Sequence, residues 1–285
     1  MTVHTVAVVG AGVMGAGVAL DLACYGYRVI LKDVSEGILD RARAAIAADF
    51  RLLGMMKPRV KALTGDQLLA RITFTTSYDG FEKAEVVIEN ITEDWRAKHA
   101  LYEELPHVCR PDAIYAVNTS CIAITRVAAL MPAPERVIGV HFLNPVPLKP
   151  LVEVIRGHHT SDDTVAVVTQ FLASLEKTAV VVHDLPGFVT NRVLMLTINE
   201  SIWVVHDRVA EPKDVDKIFR LGFGHKMGPL ATADLIGLDT ILRSLLVLFD
   251  SYKDSKYRPC PLLCQMVDAG LLGKKSGKGF FEYSA

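Results

Sequence analysis

His141 opens the stretch HFLNPVPLKPLVEVI, and Glu153 lies twelve positions further on. An imidazole exchanges a proton near neutral pH, and a carboxylate beside it orients the ring and favours its charged form. Prolines punctuate the segment between them, so no helix can join the pair. A stiff corner of this kind would hold a base and its partner without a flexible linker, which suits chemistry that tolerates little misplacement. The competing reading is an apolar corner that happens to contain two polar residues. Two further polar groups stand at segment ends. Ser120 closes IYAVNTS, and Asn191 follows PGFVT at the start of a long helical stretch. In open α/β sheets ligands bind at the carboxyl ends of the strands, so Ser120 and His141 are expected to face one ligand.

The elements that would position these groups begin at GAGVMG, where Gly10, Gly12 and Gly15 form G-x-G-x-x-G. Alone the pattern is weak. Here an apolar strand, VAVVG, precedes it, a helical stretch follows, and a second strand ends on Asp33 at the distance a dinucleotide fingerprint requires. Gly10 permits the tight turn, Gly12 lets backbone approach a pyrophosphate, and Gly15 allows close helix–strand packing. Asp33 would accept from the adenosine ribose hydroxyls and repel a 2′-phosphate. The expected cofactor is therefore NAD, not NADP.

Further strand-like runs lie at 71–77, 85–91, 114–120, 136–142, 151–157 and 179–184, with helical stretches between several of them, notably at 94–105 and 162–176. This rhythm predicts an α/β Rossmann-like doubly wound sheet. After LPGF the strand signals stop. Helices are expected near 189–208, 212–221, 229–253 and 261–270. The domains predicted are a sheet domain over 1–185 and an all-α C-terminal domain over 186–285. LLVLF at 245–249 is more apolar than a solvated helix surface tolerates and suggests burial against a second subunit.

The 285 residues carry a net charge of −1, which leaves no electrostatic footprint for nucleic acid and no polybasic membrane patch. No run is apolar enough to span a bilayer, and no signal peptide is visible. Cys24, Cys109, Cys121, Cys260 and Cys264 are odd in number and irregularly spaced. They read as reduced thiols of a cytoplasmic protein, without a metal site.

NTSCIAIT, RVIGVHFLNPVPLKPLVEVI, PGFVTNR, GFGHKMGPLATADLIGLD and GKKSGKGFFEY together resemble the L-3-hydroxyacyl-CoA dehydrogenase family, in its short bacterial 3-hydroxybutyryl-CoA form. The resemblance runs in order from residue 4 to 283. It implies NAD-dependent interconversion of 3-hydroxyacyl and 3-ketoacyl thioesters. It implies a catalytic His141 with Glu153 as its partner, and Ser120 and Asn191 on the substrate oxygen. It implies cofactor contacts from Asp33, Glu93, Lys98, Ser120, Asn144 and Lys275. Lys57, with Arg59 and Lys61 nearby, matches the region that contacts CoA, although a solvated basic turn explains those charges equally well. A homodimer formed through the helical domain is also implied.

The family often reads NTSSL and HFFNP where this chain reads NTSCI and HFLNP. Such sequences also resemble relatives that act on hydroxyacyl groups carried by acyl carrier protein, in pathways making polyketide extender units. The carrier, CoA or acyl carrier protein, therefore stays open at this point. A non-catalytic NAD-binding sensor is the alternative of another class. Against it, Ser120, His141, Glu153 and Asn191 are all present together.

Overall fold

Short β-rich apolar runs, each closed by a polar or turn residue, become strands β1 (Thr5–Val9), β2 (Arg28–Lys32), β3 (Ile72–Thr75), β4 (Val86–Glu89), β5 (Ile114–Val117), β6 (Val137–Phe142), β7 (Leu151–Arg156) and β8 (Thr178–His183). They form one eight-stranded sheet in the order β3-β2-β1-β4-β5-β6-β7-β8. The computed structural model describes residues 1–57, 60, 62–120 and 122–283. The chain divides into two units, Met1–Leu185 with the sheet and Pro186–Ala285 with helices.

All neighbouring strands run parallel except β6 and β7. A parallel return needs a crossover of a dozen or more residues. The corner between Phe142 and Leu151 is shorter than that, so the chain turns straight back. This antiparallel step interrupts the βα rhythm, and it places His141 directly opposite Glu153 in the ladder. The order of the sheet reverses between β1 and β4, and a crevice opens outside their carboxyl ends at that switch point.

Helices α1 (Val13–Cys24), α2 (Glu36–Met56), α3 (Gly65–Leu69), α4 (Trp95–Val108), α5 (Ile124–Ala128) and α6 (Asp162–Ser174) belong to the sheet unit. Their starts have local causes. Thr64 and Gln67 form a capping box, and Asp94 and Ser161 cap α4 and α6 by accepting from Ala97 N and Thr164 N. The core is built from Val6, Val8, Leu20, Leu31, Ile88, Ile138, Val154 and their neighbours. Strand β8 departs from a buried apolar run. Val180 and Val181 are 42% and 48% exposed, because β8 is an edge strand with one ladder partner.

The second unit packs α7 (Thr190–His206), α8 (Pro212–Gly222), α9 (Pro229–Ile236), α10 (Leu238–Tyr252) and α11 (Pro261–Asp268) around Ile198, Ile202, Leu230, Ile241, Leu245 and Leu263. The single helix expected over 229–253 is two. Gly237 adopts φ +103°, a left-handed conformation that ends α9 and starts α10. The apolar run 245–249 also divides. Leu245 and Leu248 are fully buried in their own unit, while Leu246 and Phe249 stay on the surface. Two of its five residues are therefore accounted for without a second subunit. Cys24, Cys109 and Cys260 are buried free thiols and Cys264 is partly exposed. Burial pushes the Cys24 thiol up to about 12 and that of Cys109 up to about 11. Cys121 lies outside the described residues, as do Arg59 and Lys61. Among the described residues no helix is long and apolar enough to cross a membrane, and no cluster could hold a metal ion.

Candidate active site

The turn after β1 passes beneath Asn90, which follows β4. Gly10 has φ +94°, and a Cβ there would lie 2.7 Å from the Asn90 carbonyl oxygen. A Cβ on Gly15 would come within 1.7 Å of the Gly10 carbonyl oxygen, so α1 can start only where it does if that residue is glycine. Gly12 differs from both. Its φ is an ordinary −67°, and a Cβ there would meet no protein atom within 4 Å. Neither the fold nor the backbone angle requires glycine at that position. The missing side chain keeps clear the approach to the α1 N-terminus, which no side chain caps. Such a terminus presents N–H groups to an anion.

A cleft of about 900 Å³ runs from this turn along the carboxyl ends of β1, β2 and β4. Gly10, Gly12, Asp33, Arg41, Tyr78 and Asn90 are among its lining residues. Asp33 closes β2. One of its oxygens accepts from Ala11 N at 2.6 Å, so the carboxylate also fastens the glycine turn. Its other oxygen accepts from Val34 N. An uncapped helix start, a position cleared of its Cβ and a carboxylate at the end of β2 fit the pyrophosphate and ribose of a dinucleotide.

Ser120, His141 and Glu153 form a line. His141 Nδ1 and Glu153 Oε2 are 2.7 Å apart, and both residues are buried. His141 Nε2 and Ser120 Oγ are 3.1 Å apart. A ring whose Nδ1 hydrogen is held by the carboxylate keeps Nε2 as the acceptor that faces Ser120. The serine loop is held from the other side. Glu93 accepts from Ser120 N at 2.5 Å and from Thr119 Oγ1 at 2.7 Å. Behind Glu93 lies Lys98, fully buried. Its ammonium donates to both oxygens of Glu89 at 2.7 and 2.6 Å and sits 3.8 Å from Glu93. Burial raises the Glu89 carboxyl above its ordinary range, although Lys98 opposes the shift. Lys98 is thus enclosed by carboxylates on its own unit.

Sequence reasoning missed the supports of this line. Asn118 donates to Asn90 Oδ1 at 2.6 Å and accepts from Phe142 N at 3.2 Å, bridging the ends of β4, β5 and β6. The visible signal is an asparagine directly after each of the apolar runs EVVIE and IYAV. Asp184, just past β8, accepts from Ile124 N, Thr125 N and Thr125 Oγ1 and so fixes the far end of the serine loop. The Arg126 guanidinium stacks on Trp95, its carbon 3.6 Å from the ring centre.

The other expected site residues lie elsewhere. Asn144 is exposed at the corner after β6, joined to Pro145 by a cis peptide. Lys57 is the C-cap of α2 and lines a smaller cavity of about 160 Å³ with Asp21, Tyr25 and Glu176. Asn191 stands in the first turn of α7. Lys275 lies in the turn at 274–276 and pairs with Asp239. These last two belong to the helical unit.

Residues 5–185 match the family model described as 3-hydroxyacyl-CoA dehydrogenase, NAD binding domain, and residues 187–283 match that of the C-terminal domain of the same family. A probable 3-hydroxybutyryl-CoA dehydrogenase of Deinococcus radiodurans is 46% identical over 277 residues, covering 97% of this chain and 99% of the relative. A protein of Bacillus subtilis with the same description is 45% identical, covering 99% and 98%. The solved structure of the (S)-3-hydroxybutyryl-CoA dehydrogenase of Ralstonia eutropha superposes with a TM-score of 0.93 at 40% identity and covers both chains completely.

Proposed function

Because the chain belongs to the 3-hydroxyacyl-CoA dehydrogenase family, we propose that it interconverts 3-hydroxyacyl and 3-ketoacyl thioesters of CoA with NAD, a short acyl chain of the 3-hydroxybutyryl kind being the substrate. The observation that carries the reading is the line from Ser120 through His141 to Glu153.

Gly10, Gly12 and Gly15 would shape the seat for the pyrophosphate, and Asp33 would accept from the adenosine ribose. Ser120, Asn144 and Lys275 are the remaining residues proposed to touch the cofactor. Glu93 and Lys98 belong to the same reading, with one refinement. Lys98 is sealed against Glu89, so its contribution passes through Glu93 and the serine loop. When bound, the nicotinamide accepts or supplies the hydride. The protein supplies position and proton transfer.

In the oxidative direction neutral His141 takes the proton of the 3-hydroxyl at Nε2. Glu153, 2.7 Å from Nδ1, keeps that nitrogen protonated and stabilises the imidazolium that forms. Ser120 donates to the substrate oxygen as it becomes a carbonyl, and Asn191 is proposed to share that task. In the reverse direction His141 returns the proton to the same oxygen. A well-placed base of this kind contributes about 10²–10⁴-fold.

CoA is preferred to acyl carrier protein as carrier because the relatives described above are named for CoA thioesters. Lys57 would then meet a CoA phosphate. We propose a cytoplasmic homodimer joined through the helical unit, whose surface exposes Leu221, Phe223 and Leu235. The sensor reading is disfavoured because NAD binding alone needs neither the 2.7 Å His141–Glu153 contact nor the serine aligned on it.

The test is NADH consumption with acetoacetyl-CoA, run beside acetoacetyl-acyl carrier protein. Faster turnover of the CoA thioester is expected. Turnover of the carrier-bound form alone would overturn the choice of carrier and keep the mechanism. NADH binding without turnover of any 3-ketoacyl thioester would overturn the dehydrogenase reading.

A further inference from the structure

The geometry assigns a positioning role to a buried ion pair that the mechanism above does not use: we propose that Asp21 and Lys177 lock the His141–Glu153 corner onto the cofactor helix, so that proton transfer and hydride transfer keep a common register. The inference rests on the dehydrogenase reading.

Lys177 occupies the junction between α6 and β8, where the sequence SLEKTAV reads as an ordinary surface turn. Its side chain instead runs inward and is 3% exposed. The ammonium has two carbonyl acceptors and one carboxylate ion-pair partner. It donates to Val146 O at 2.8 Å and to Lys149 O at 3.0 Å, and it lies 2.8 Å from Asp21 Oδ2. The two carbonyls belong to the corner that joins β6 to β7. Asp21 belongs to α1, the helix that follows Gly12. The same corner touches α1 directly, since a Cβ on Gly17 would sit 3.4 Å from Val146 Cβ. Backbone bonds complete the junction. Lys177 N donates to Leu172 O, and Thr178 N donates to Pro150 O at 2.6 Å.

One buried cation therefore ties α1, the β6–β7 corner and the start of β8 together. Desolvating two charges is unfavourable, and an apolar pair of the same shape would stabilise a core as well or better. What an apolar pair would lack is direction. It could not hold two corner carbonyls at fixed distances from α1. Direction matters because the two halves of the reaction are fixed by different elements. The proton is handled on β6 and β7, whereas the hydride partner is seated against the N-terminus of α1. A misplacement of about 1 Å between such halves lowers the rate about a hundredfold. Burial raises the Asp21 carboxyl above its ordinary range, and Lys177 draws it back only in part.

The experiment compares Lys177→Met and Asp21→Asn with the parent, measuring kcat, the KM for NADH, thermal stability and the primary isotope effect with deuterated NADH. For folded Lys177→Met we expect kcat to fall about tenfold to a hundredfold. The KM for NADH should stay within about twofold, and the isotope effect should rise as hydride transfer becomes the slow step. Asp21→Asn removes the ion pair but leaves both carbonyls held, so its loss should be smaller, about threefold to tenfold. A pair that served stability alone would lower the melting temperature while kcat per folded molecule and the isotope effect stayed at parental values, and that result overturns the proposal. Should Lys177→Met not fold, Asp21→Asn decides on the same two readouts. A parent inactive with acetoacetyl-CoA would instead refute the dehydrogenase reading, which the parental control reports separately.

Discussion

Replacing Glu153 with glutamine removes one charge and almost no volume. His141 Nδ1 and Glu153 Oε2 are 2.7 Å apart in a buried site, and a glutamine oxygen can still accept from Nδ1. The tautomer and the fold should therefore survive. What disappears is the attraction between the carboxylate and the imidazolium formed when His141 takes the substrate proton. With charge centres about 4 Å apart and an effective dielectric constant of about 20, that attraction is about 4 kcal/mol. Each 1.36 kcal/mol is tenfold in rate, so kcat should fall about a thousandfold. The assay is steady-state NADH oxidation with acetoacetyl-CoA, together with NADH binding followed by its fluorescence and a thermal melt. Binding should be unchanged, because the pair lies on β6 and β7 and the proposed pyrophosphate seat lies at the glycine turn. Turnover within about fivefold of the parent, in a protein that still binds NADH, would refute a charge-stabilising role for Glu153. Equal losses of turnover and NADH binding would refute the separation of the two sites.

The glycine turn gives a paired prediction. Gly12→Ala should fold normally, because its Cβ meets no protein atom, yet weaken NADH binding by about 1–3 kcal/mol, about fivefold to 150-fold in Kd. Gly15→Ala should fail to fold or melt far lower, because its Cβ would lie 1.7 Å from the Gly10 carbonyl oxygen; the reverse pattern in melts and NADH titrations would count against the assignment. In the helical unit, Asp234 accepts from Phe280 N, Phe281 N and Tyr283 Oη, yet burial raises its carboxyl above the ordinary value of 3.8. A folded-state value above the unfolded one means that the native state binds the extra proton, so the contribution is present below the unfolded value and is lost as pH rises through the folded one. Denaturant titrations of the parent and Asp234→Asn across this window should show the parent's advantage shrinking as pH rises. An advantage that grows with pH would mean that the three donors outweigh burial.

The parts that were legible in the sequence were those with local causes. All eight strands stand where short apolar runs end on polar or turn residues. The dinucleotide turn was readable because three glycines, the following helix and Asp33 must keep fixed distances along the chain. Strand direction at β7 was less legible, since it depends on how short a proline corner can be before it must turn straight back. Gly237 hid the division between α9 and α10, because one glycine inside a helical pattern does not show its φ. Glu93 and Lys98 were reached only through the family resemblance, as cofactor contacts. The other supports of the serine loop, Glu89, Asn118 and Asp184, were out of reach for a different reason: they find their partners only when separate elements are docked, and each alone reads as a solvated charge or a strand end.

Three buried pairs in the sheet unit share one form, and the difference between them separates holding from catalysis. Asp21 meets Lys177, Glu89 meets Lys98 and Glu153 meets His141. Each pair joins elements that the sequence keeps apart or turns back on one another, and none is required for apolar burial, which the sheet core supplies without them. In the first two pairs the ammonium is engaged by buried protein partners, Lys98 by Glu89 and Lys177 by Asp21 and two corner carbonyls, so these pairs hold position. Imidazole is the one partner whose ordinary protonation range spans neutral pH. Proton exchange with substrate is thus confined to the third pair, at the one place where a serine hydroxyl also faces the ring. Replacing His141 by lysine would retain a buried cation beside Glu153 and remove the exchangeable base, which makes residue type at this pair, not charge alone, the condition for turnover.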